Sequence, residues 1–225
     1  MPAEWLTYSL SDFLLFSSRT YYRLFELHNR AIWPAQVPAI ALGLAILALS
    51  LRGGPRPGRA VAAILAACWL WVAWAYLLER YDTINWAAKY FAAGFAAEAL
   101  LLAWTAVRGR LAFRPDAGRS GRAGLALLLF ALALHPLVGP LLVGRPWAQV
   151  ELFGVTPDPT VVATLGVLLA TDRIPRELLA VPLAWCAISG ATAWAMGSPD
   201  ALVMPAAAAV TLALAGWGAL APRSR

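Results

Sequence analysis

An acidic side chain between two prolines is the first candidate for a functional residue in this sequence. The segment Thr156-Pro157-Asp158-Pro159-Thr160 precedes an apolar run. Asp158 is suited to cap a helix at the headgroups, with Pro159 at the first helical position. However, the thirteen residues from Pro159 to Thr171 span only about 20 Å as helix, less than the roughly 30 Å of hydrocarbon. On the alternative interpretation the helix begins below the surface, and Asp158 with Thr156 contributes to a polar or ionic binding site.

Two ionisable residues, Lys89 and Glu98, fall within another apolar run. Their spacing places them on opposite faces of a helix, so they do not pair with each other. Lys89 either snorkels to the interface or acts as a counter-ion on the helix face that it shares with Asn85. Glu98 lies deeper and needs either a partner or a proton, which makes it a candidate proton-linked acid.

His135 precedes Pro136 in a fourth apolar run. The proline should kink the helix, and an imidazole there could titrate near neutral pH. The alternative is that His135 only packs. Because no second histidine lies nearby, the sequence predicts no metal site, and it predicts no cofactor. It also contains no evident nucleophile–base pair or phosphate loop, so we do not expect an enzyme.

The elements that carry these residues are apolar throughout. The chain is 61% hydrophobic and 13% charged, against about 25% charged residues in a soluble domain. We predict an all-α integral membrane bundle of about seven transmembrane helices over residues 32–221, followed by a cytoplasmic tail at 222–225. The predicted spans are 32–51, 60–78, 84–107, 123–143, 157–172, 177–196 and 201–221.

Most of the arginines lie on one side of this predicted bundle. Twelve arginines lie in the connections after spans one, three and five and in the tail, and five lie on the other side. By the positive-inside rule the N-terminus is outside and the C-terminus is cytoplasmic. The net charge of +6 therefore reflects orientation and lipid headgroups rather than nucleic acid.

Residues 1–31 are predicted to form an outer interfacial segment with an amphipathic helix. Its apolar face would carry Tyr21, Leu24, Phe25 and His28, and its charged face Arg23, Glu26 and Arg30. Pro34 follows Trp33, so we expect the chain to bend there into the membrane. Several ionisable and polar groups map to the same outer half, so any pocket should open outward: Glu26, Asp82, Asn85, Lys89, Arg145 and Asp158.

The chain resembles a family of bacterial multi-pass membrane proteins classed only as a domain of unknown function, over roughly residues 20–205. The segments that carry the resemblance are NRAIWPAQ at 29–36, WLW at 69–71 with Tyr76, INWAA at 84–88, HPLVG at 135–139, FGVTPDPT at 153–160, PLAW at 182–185 and ISG at 188–190. The resemblance implies a bacterial inner (plasma) membrane location and no particular activity. Family members often carry Pro-Cys-Pro where this chain has Asp158, so a thiol-based metal or redox role is not expected here.

Two functions fit these observations. One is a small-solute or ion transporter or channel with an outward-opening polar site, which Asp158, Lys89 and Glu98 would form with Thr156, Asn85 and His135. The other is a non-transporting accessory or scaffold protein that binds a membrane protein partner, or a second copy of itself, through the outer interfacial helix. In both cases the lipid bilayer surrounds the protein. Deep ionisable residues argue against the second function, and the lack of an internal repeat in the sequence argues against the first.

Overall fold

The computed structural model describes residues 16–113 and 118–220, so residues 1–15 of the predicted interfacial segment and the predicted tail at 222–225 lie outside the described residues. The described part is helical, with only isolated bridges between connections. The helices are α1 (Ser18–Ala31), α2 (Gln36–Arg52), α3 (Pro55–Trp71), α4 (Ala88–Arg108), α5 (Gly118–Leu129), α6 (His135–Leu137), α7 (Pro157–Leu169), α8 (Ala180–Ala195) and α9 (Val203–Leu220).

Each predicted span corresponds to helix, which confirms the all-α class. Within the described residues, four continuous helical stretches are long and apolar enough to cross a membrane: Pro55–Thr83, Ala88–Arg108, Gly118–Val143 and Arg176–Ala195. The bent pair α1 and α2 makes a fifth candidate if it counts as one span, and α7 and α9 are shorter apolar helices. The apolar helices could therefore span a membrane, and the short span five anticipated from the sequence is short in the structure.

The amphipathic helix α1 packs onto the protein. Ser17 caps it, its hydroxyl accepting a hydrogen bond from the Thr20 amide at 3.2 Å. A 96° bend separates α1 from α2, as expected around Pro34. Phe25 stacks on Tyr76 with ring centroids 5.3 Å apart, so the helix buries its apolar face against the bundle. Protein therefore covers the apolar face of α1, and the location of this helix at a membrane interface stays a prediction.

Helix α7 lies at the centre of the bundle. All of its residues except Asp158 are buried, so it has no polar face, as expected of a helix surrounded by others. It crosses α5 where Gly124 meets Gly166. A Cβ on Gly166 would lie 2.7 Å from the Gly124 carbonyl oxygen, so only glycine permits this backbone approach. On another side the Trp69 indole of α3 donates to the Thr164 hydroxyl at 2.9 Å.

The arginine-rich connections meet at one end of the bundle. The Gly54 amide donates to the Phe113 carbonyl at 2.8 Å, and the Asp172 amide donates to the Ala112 carbonyl at 2.9 Å. Hydrogen bonds thus join the connections after α2, α4 and α7, so these three connections lie together at one end of the bundle. At the other end α1 contacts the connection before α7, where the Asn29 side-chain amide donates to the Val150 carbonyl at 2.8 Å.

Candidate functional site

A small polar cavity lies at the arginine-poor end of the bundle. Its volume is about 30 Å³, enough for one or two water-sized groups. Its walls come from α1, α6, the connection before α7, and the facing ends of α7, α8 and α9. The polar residues that line it are Tyr21, Tyr22, His135, Glu151, Asp158, Ser189 and Asp200.

Asp158 enters this cavity from the first turn of α7. The helix begins at Pro157, and the residue at the cap position is Thr156, whose hydroxyl donates to the Leu152 carbonyl at 3.2 Å and caps nothing. The interpretation of Asp158 as the helix cap is therefore wrong, because its carboxylate has other donors. It accepts hydrogen bonds from the Trp185 indole at 2.7 Å and from the Ser189 hydroxyl at 2.6 Å. Asp158 thus joins α7 to α8 at the edge of the cavity.

Arg145 holds two further carboxylates beside the cavity. Its guanidinium donates to Glu151 at 3.1 Å and to Asp200 at 2.7 Å, and it lies 4.2 Å from the centre of the Tyr22 ring. The Arg145 side chain is only 8% exposed, so these pairs are largely shielded from water. A Cβ at Gly139 would lie 2.9 Å from the Arg145 Nε, and the glycine therefore makes room for the guanidinium.

Burial is the largest single influence on the pKa values of Glu151 and Arg145, which lie in the connection before α7. Burial raises the pKa of Glu151 above its ordinary value, and the Arg145 guanidinium opposes this effect without cancelling it. For Arg145 burial acts to lower the pKa, but Glu151 and Asp200 outweigh it, so the net pKa is raised. Arg145 consequently stays charged, and the buried carboxylates of Glu151 and Asp200 depend on it for charge compensation.

His135 reaches the cavity from an irregular stretch of helix. α6 is flanked by π-helical turns at Phe130–Leu134 and Val138–Val143, and π-helical turns occur frequently at functional sites. The imidazole is 6% exposed, and its Nδ1 has no hydrogen-bond partner within residues 16–113 and 118–220. A buried nitrogen without a partner is uncommon and needs an explanation.

Helix α6, the connection before α7 and the first turn of α7 bring atoms of metal-ligating types together. One ring nitrogen of His135 and one carboxylate oxygen each from Glu151 and Asp158 lie within 4.8 Å of one another. The sequence gave His135 no nearby partner because Glu151 and Asp158 belong to other segments. Glu151 was missed as a site residue because it lies in a connection without a motif, and its only signal is that it is an acid on the arginine-poor side.

Lys89 and Asn85 do not line the cavity. The Lys89 ammonium lies 3.6 Å from the Asp82 carboxylate, and its side chain is 68% exposed, which matches the snorkelling interpretation. The Asn85 side-chain oxygen accepts from the Ala87 amide at 3.0 Å and so fixes the turn before α4. The structure thus separates these two residues from Asp158 and His135, which it brings together.

Glu98 is also outside the cavity, on α4 in the core. Its exposed fraction is 0%, and neither carboxyl oxygen has a hydrogen-bond partner among the residues that the structure describes. Its position agrees with the deep placement predicted from the sequence. The described residues supply no partner, so protonation is the other way to keep this carboxyl group buried without a charge.

Replacing Glu98 by methionine should raise the free energy of unfolding by about 1–3 kcal/mol, because it removes two buried oxygens that lack partners. Chemical or thermal unfolding in detergent measures the effect. Glu177→Met is the control, because Glu177 is 40% exposed and pairs with Arg110, so this change should have little effect. Marked destabilisation by Glu98→Met would show that the carboxyl has a stabilising partner.

Comparison with known proteins identifies the family. A family model described as "Family of unknown function (DUF6064)" matches residues 18–224, so the chain belongs to that family. No curated protein and no solved structure matches the chain significantly.

Proposed function

We propose that this DUF6064 member is a multi-pass membrane protein that binds a cation in the polar cavity and carries it across the membrane. In this proposal all seven predicted spans lie in a bacterial inner membrane, α1 covers the outer end, and the C-terminus is cytoplasmic. The protein acts as a transporter or channel rather than as an enzyme. The cavity opens towards the outside because the arginine-poor end carries it.

The charge of the cavity is the observation that carries this proposal. Three carboxyl groups line the cavity, those of Glu151, Asp158 and Asp200, and the Arg145 guanidinium contacts two of them, Glu151 and Asp200. With all three ionised and His135 neutral, the cluster carries two negative charges more than positive ones. Buried charges without compensation are strongly unfavourable. A bound cation would supply the compensation, whereas an anion or a neutral solute would not.

The central position of α7 supports transport rather than binding alone. The helix has 13 residues, or about 20 Å, and is therefore shorter than the hydrocarbon of a bilayer. When its Leu169 end meets the inner boundary, Asp158 lies below the outer one. Substrate and coupling-ion sites in transporters commonly lie within the membrane where short or broken helices end. The positive N-terminal end of α7 favours the ionised form of Asp158, and in this proposal the Asp158 carboxylate is the group that meets the cation. The apolar length of α7 then separates the cavity from the cytoplasmic end, and release inwards requires the surrounding helices to move.

A thermal-shift screen of the purified protein in detergent tests cation binding. Monovalent metal ions, divalent metal ions and organic ammonium ions are compared at equal ionic strength. One class should raise the unfolding temperature, because a ligand that binds only the folded state stabilises it. Asp158→Asn should abolish most of this shift, since it removes a negative charge and keeps the shape of the side chain.

Asp82→Asn is the matched control for that screen. It makes the same chemical change at an acid that does not line the cavity and that pairs with exposed Lys89. We expect its cation-dependent shift to equal that of the unmodified protein. If no cation class raises the unfolding temperature, or if both variants respond alike, the cavity is not a cation site and the proposal fails.

An accessory role is the second candidate, and an exposed cleft favours it. A cleft of about 530 Å³ lies where α1 bends into α2. Two exposed tryptophans, Trp33 and Trp147, line it together with Gln36. Because the apolar face of α1 is already covered, a partner would contact this cleft instead. Substitution of both tryptophans by alanine should release such a partner, whereas a cation transporter should keep its cation-dependent thermal shift.

A further inference from the structure

We infer that His135, Glu151 and Asp158 coordinate a divalent transition-metal ion in the polar cavity. This inference rests on the proposed function and names the class of cation. It places a metal site where three separate segments meet: the irregular helix around α6, the connection before α7, and the first turn of α7.

The spacing of the three donors fits a single ion after small side-chain movements. Their atoms lie within 4.8 Å of one another. Nitrogen and oxygen ligands at about 2.1 Å from a tetrahedral ion are about 3.4 Å apart. All three residues line the same cavity of about 30 Å³, and an ion without its water shell needs no more room than one water molecule. The cavity therefore admits the ion and leaves space for a water or a transported ligand in an open position.

His135 supplies the observation that the acidic residues alone do not. The imidazole is more than nine-tenths buried, lines the cavity, and has an Nδ1 without a partner in the described part of the chain. A neutral imidazole nitrogen with a free lone pair is the commonest metal ligand in proteins. Metal binding through Nδ1 would satisfy this nitrogen.

Neighbouring side chains donate hydrogen bonds to Asp158 and Glu151, as is usual for metal-ligating carboxylates. Trp185 and Ser189 each donate to a different oxygen of Asp158, and Arg145 donates to the Oε1 of Glu151. Such hydrogen bonds orient a ligand and tune its affinity. One carboxylate oxygen of Glu151 lies within 4.8 Å of the His135 and Asp158 donor atoms, so Glu151 can contact the ion while Arg145 orients it.

Ligand type and charge select the class of metal. Sodium, magnesium and calcium prefer ligands that are all oxygen, whereas an imidazole together with carboxylates suits zinc, manganese, iron or cobalt. The surplus of two negative charges around the cavity is balanced by one divalent ion. Arg145 does not occupy the ion's place, because its guanidinium already contacts Glu151 and Asp200.

Equilibrium binding of Co²⁺ and Zn²⁺ to the chelator-treated full chain in detergent tests this inference. Calorimetry should give one site per chain, and bound Co²⁺ should show the visible absorption of a nitrogen- and oxygen-ligated ion. His135→Gln should weaken binding by well over tenfold and change the Co²⁺ spectrum. Ser189→Ala, which removes only a donor to Asp158, should weaken binding by about 10-fold.

His28→Gln is the matched control, because it removes the other of the two histidines in the chain, and that one does not line the cavity. Co²⁺ binding and its spectrum should be unchanged in this variant. The inference is overturned if no divalent metal binds, or if His135→Gln and Ser189→Ala bind Co²⁺ like the unmodified protein. A thermal shift with monovalent or organic cations but without metal binding would overturn this inference alone and leave the proposed function standing. Metal binding without any cation flux would support the metal site and contradict transport.

Discussion

Arg145→Met should lower the free energy of unfolding by about 3–5 kcal/mol, because breaking a buried ion pair leaves charges without compensation. The change strands two carboxylates, those of Glu151 and Asp200, which the guanidinium contacts at 3.1 and 2.7 Å. Thermal or denaturant unfolding in detergent measures the loss. Arg145→Lys should recover only part of it, since an ammonium cannot hold both acids in the planar geometry of a guanidinium.

The stability lost in Arg145→Met should also depend on pH. Burial already raises the pKa of Glu151, and the arginine opposes this, so the variant should bind a proton at Glu151 more tightly than the unfolded chain does. Where the folded state binds more protons, stability falls as pH rises. The deficit should therefore shrink as pH falls through the raised pKa of Glu151.

Arg30→Met is the control for this result. Arg30 pairs with Glu26 at 2.8 Å on the surface of α1, and its side chain is 72% exposed. Exposed pairs contribute about 0–1 kcal/mol. If Arg145→Met were as mild as Arg30→Met, the buried charge network would not be the feature that holds this end of the bundle together.

Gly166→Ala should destabilise the bundle by about 3 kcal/mol through overpacking. The added Cβ would lie 2.7 Å from both the Gly124 carbonyl oxygen and the Leu128 amide nitrogen. These are backbone atoms, so α5 and α7 must separate to relieve the contact. The unfolding midpoint of the purified variant measures the effect.

Gly94→Ala is the matched control for the helix crossing. Gly94 lies within α4, and the nearest atom to an added Cβ is Val181 Cγ1 at 3.8 Å, which is an ordinary contact. This variant should be neutral or gain up to about 1 kcal/mol from helix propensity. Equal effects of the two glycine substitutions would contradict the close crossing of α5 and α7.

Much of the fold could be predicted because apolar length and arginine placement are local signals. The helices and the clustering of the arginine-rich connections followed from them. The covered face of α1 did not, because an amphipathic helix has the same pattern whether lipid or protein covers it. Phe25 on this face packs against the ring of Tyr76 instead of lipid. Tyr76 is distant in the sequence, so the local pattern does not reveal this contact.

The site was harder to predict because it depends on contacts between segments. Asp158 was singled out from the sequence with two alternative roles, a helix cap and a polar binding site. Local capping rules favoured the first, and they do not include the Trp185 and Ser189 donors on α8. Glu151 lies in a connection without periodicity or motif. His135 appeared isolated for the same reason, since sequence distance hides the approach of Glu151 and Asp158.

Cation uptake into proteoliposomes is the most direct test of transport through the polar cavity. The purified chain is reconstituted, and entry of radiolabelled or dye-reported cations is compared for the unmodified protein, Asp158→Asn and Asp82→Asn. We expect uptake above that of protein-free vesicles, its loss in Asp158→Asn and its retention in Asp82→Asn. Uptake that persists unchanged in Asp158→Asn, or no cation uptake by well-folded protein, would show that the cavity does not carry cations across the membrane.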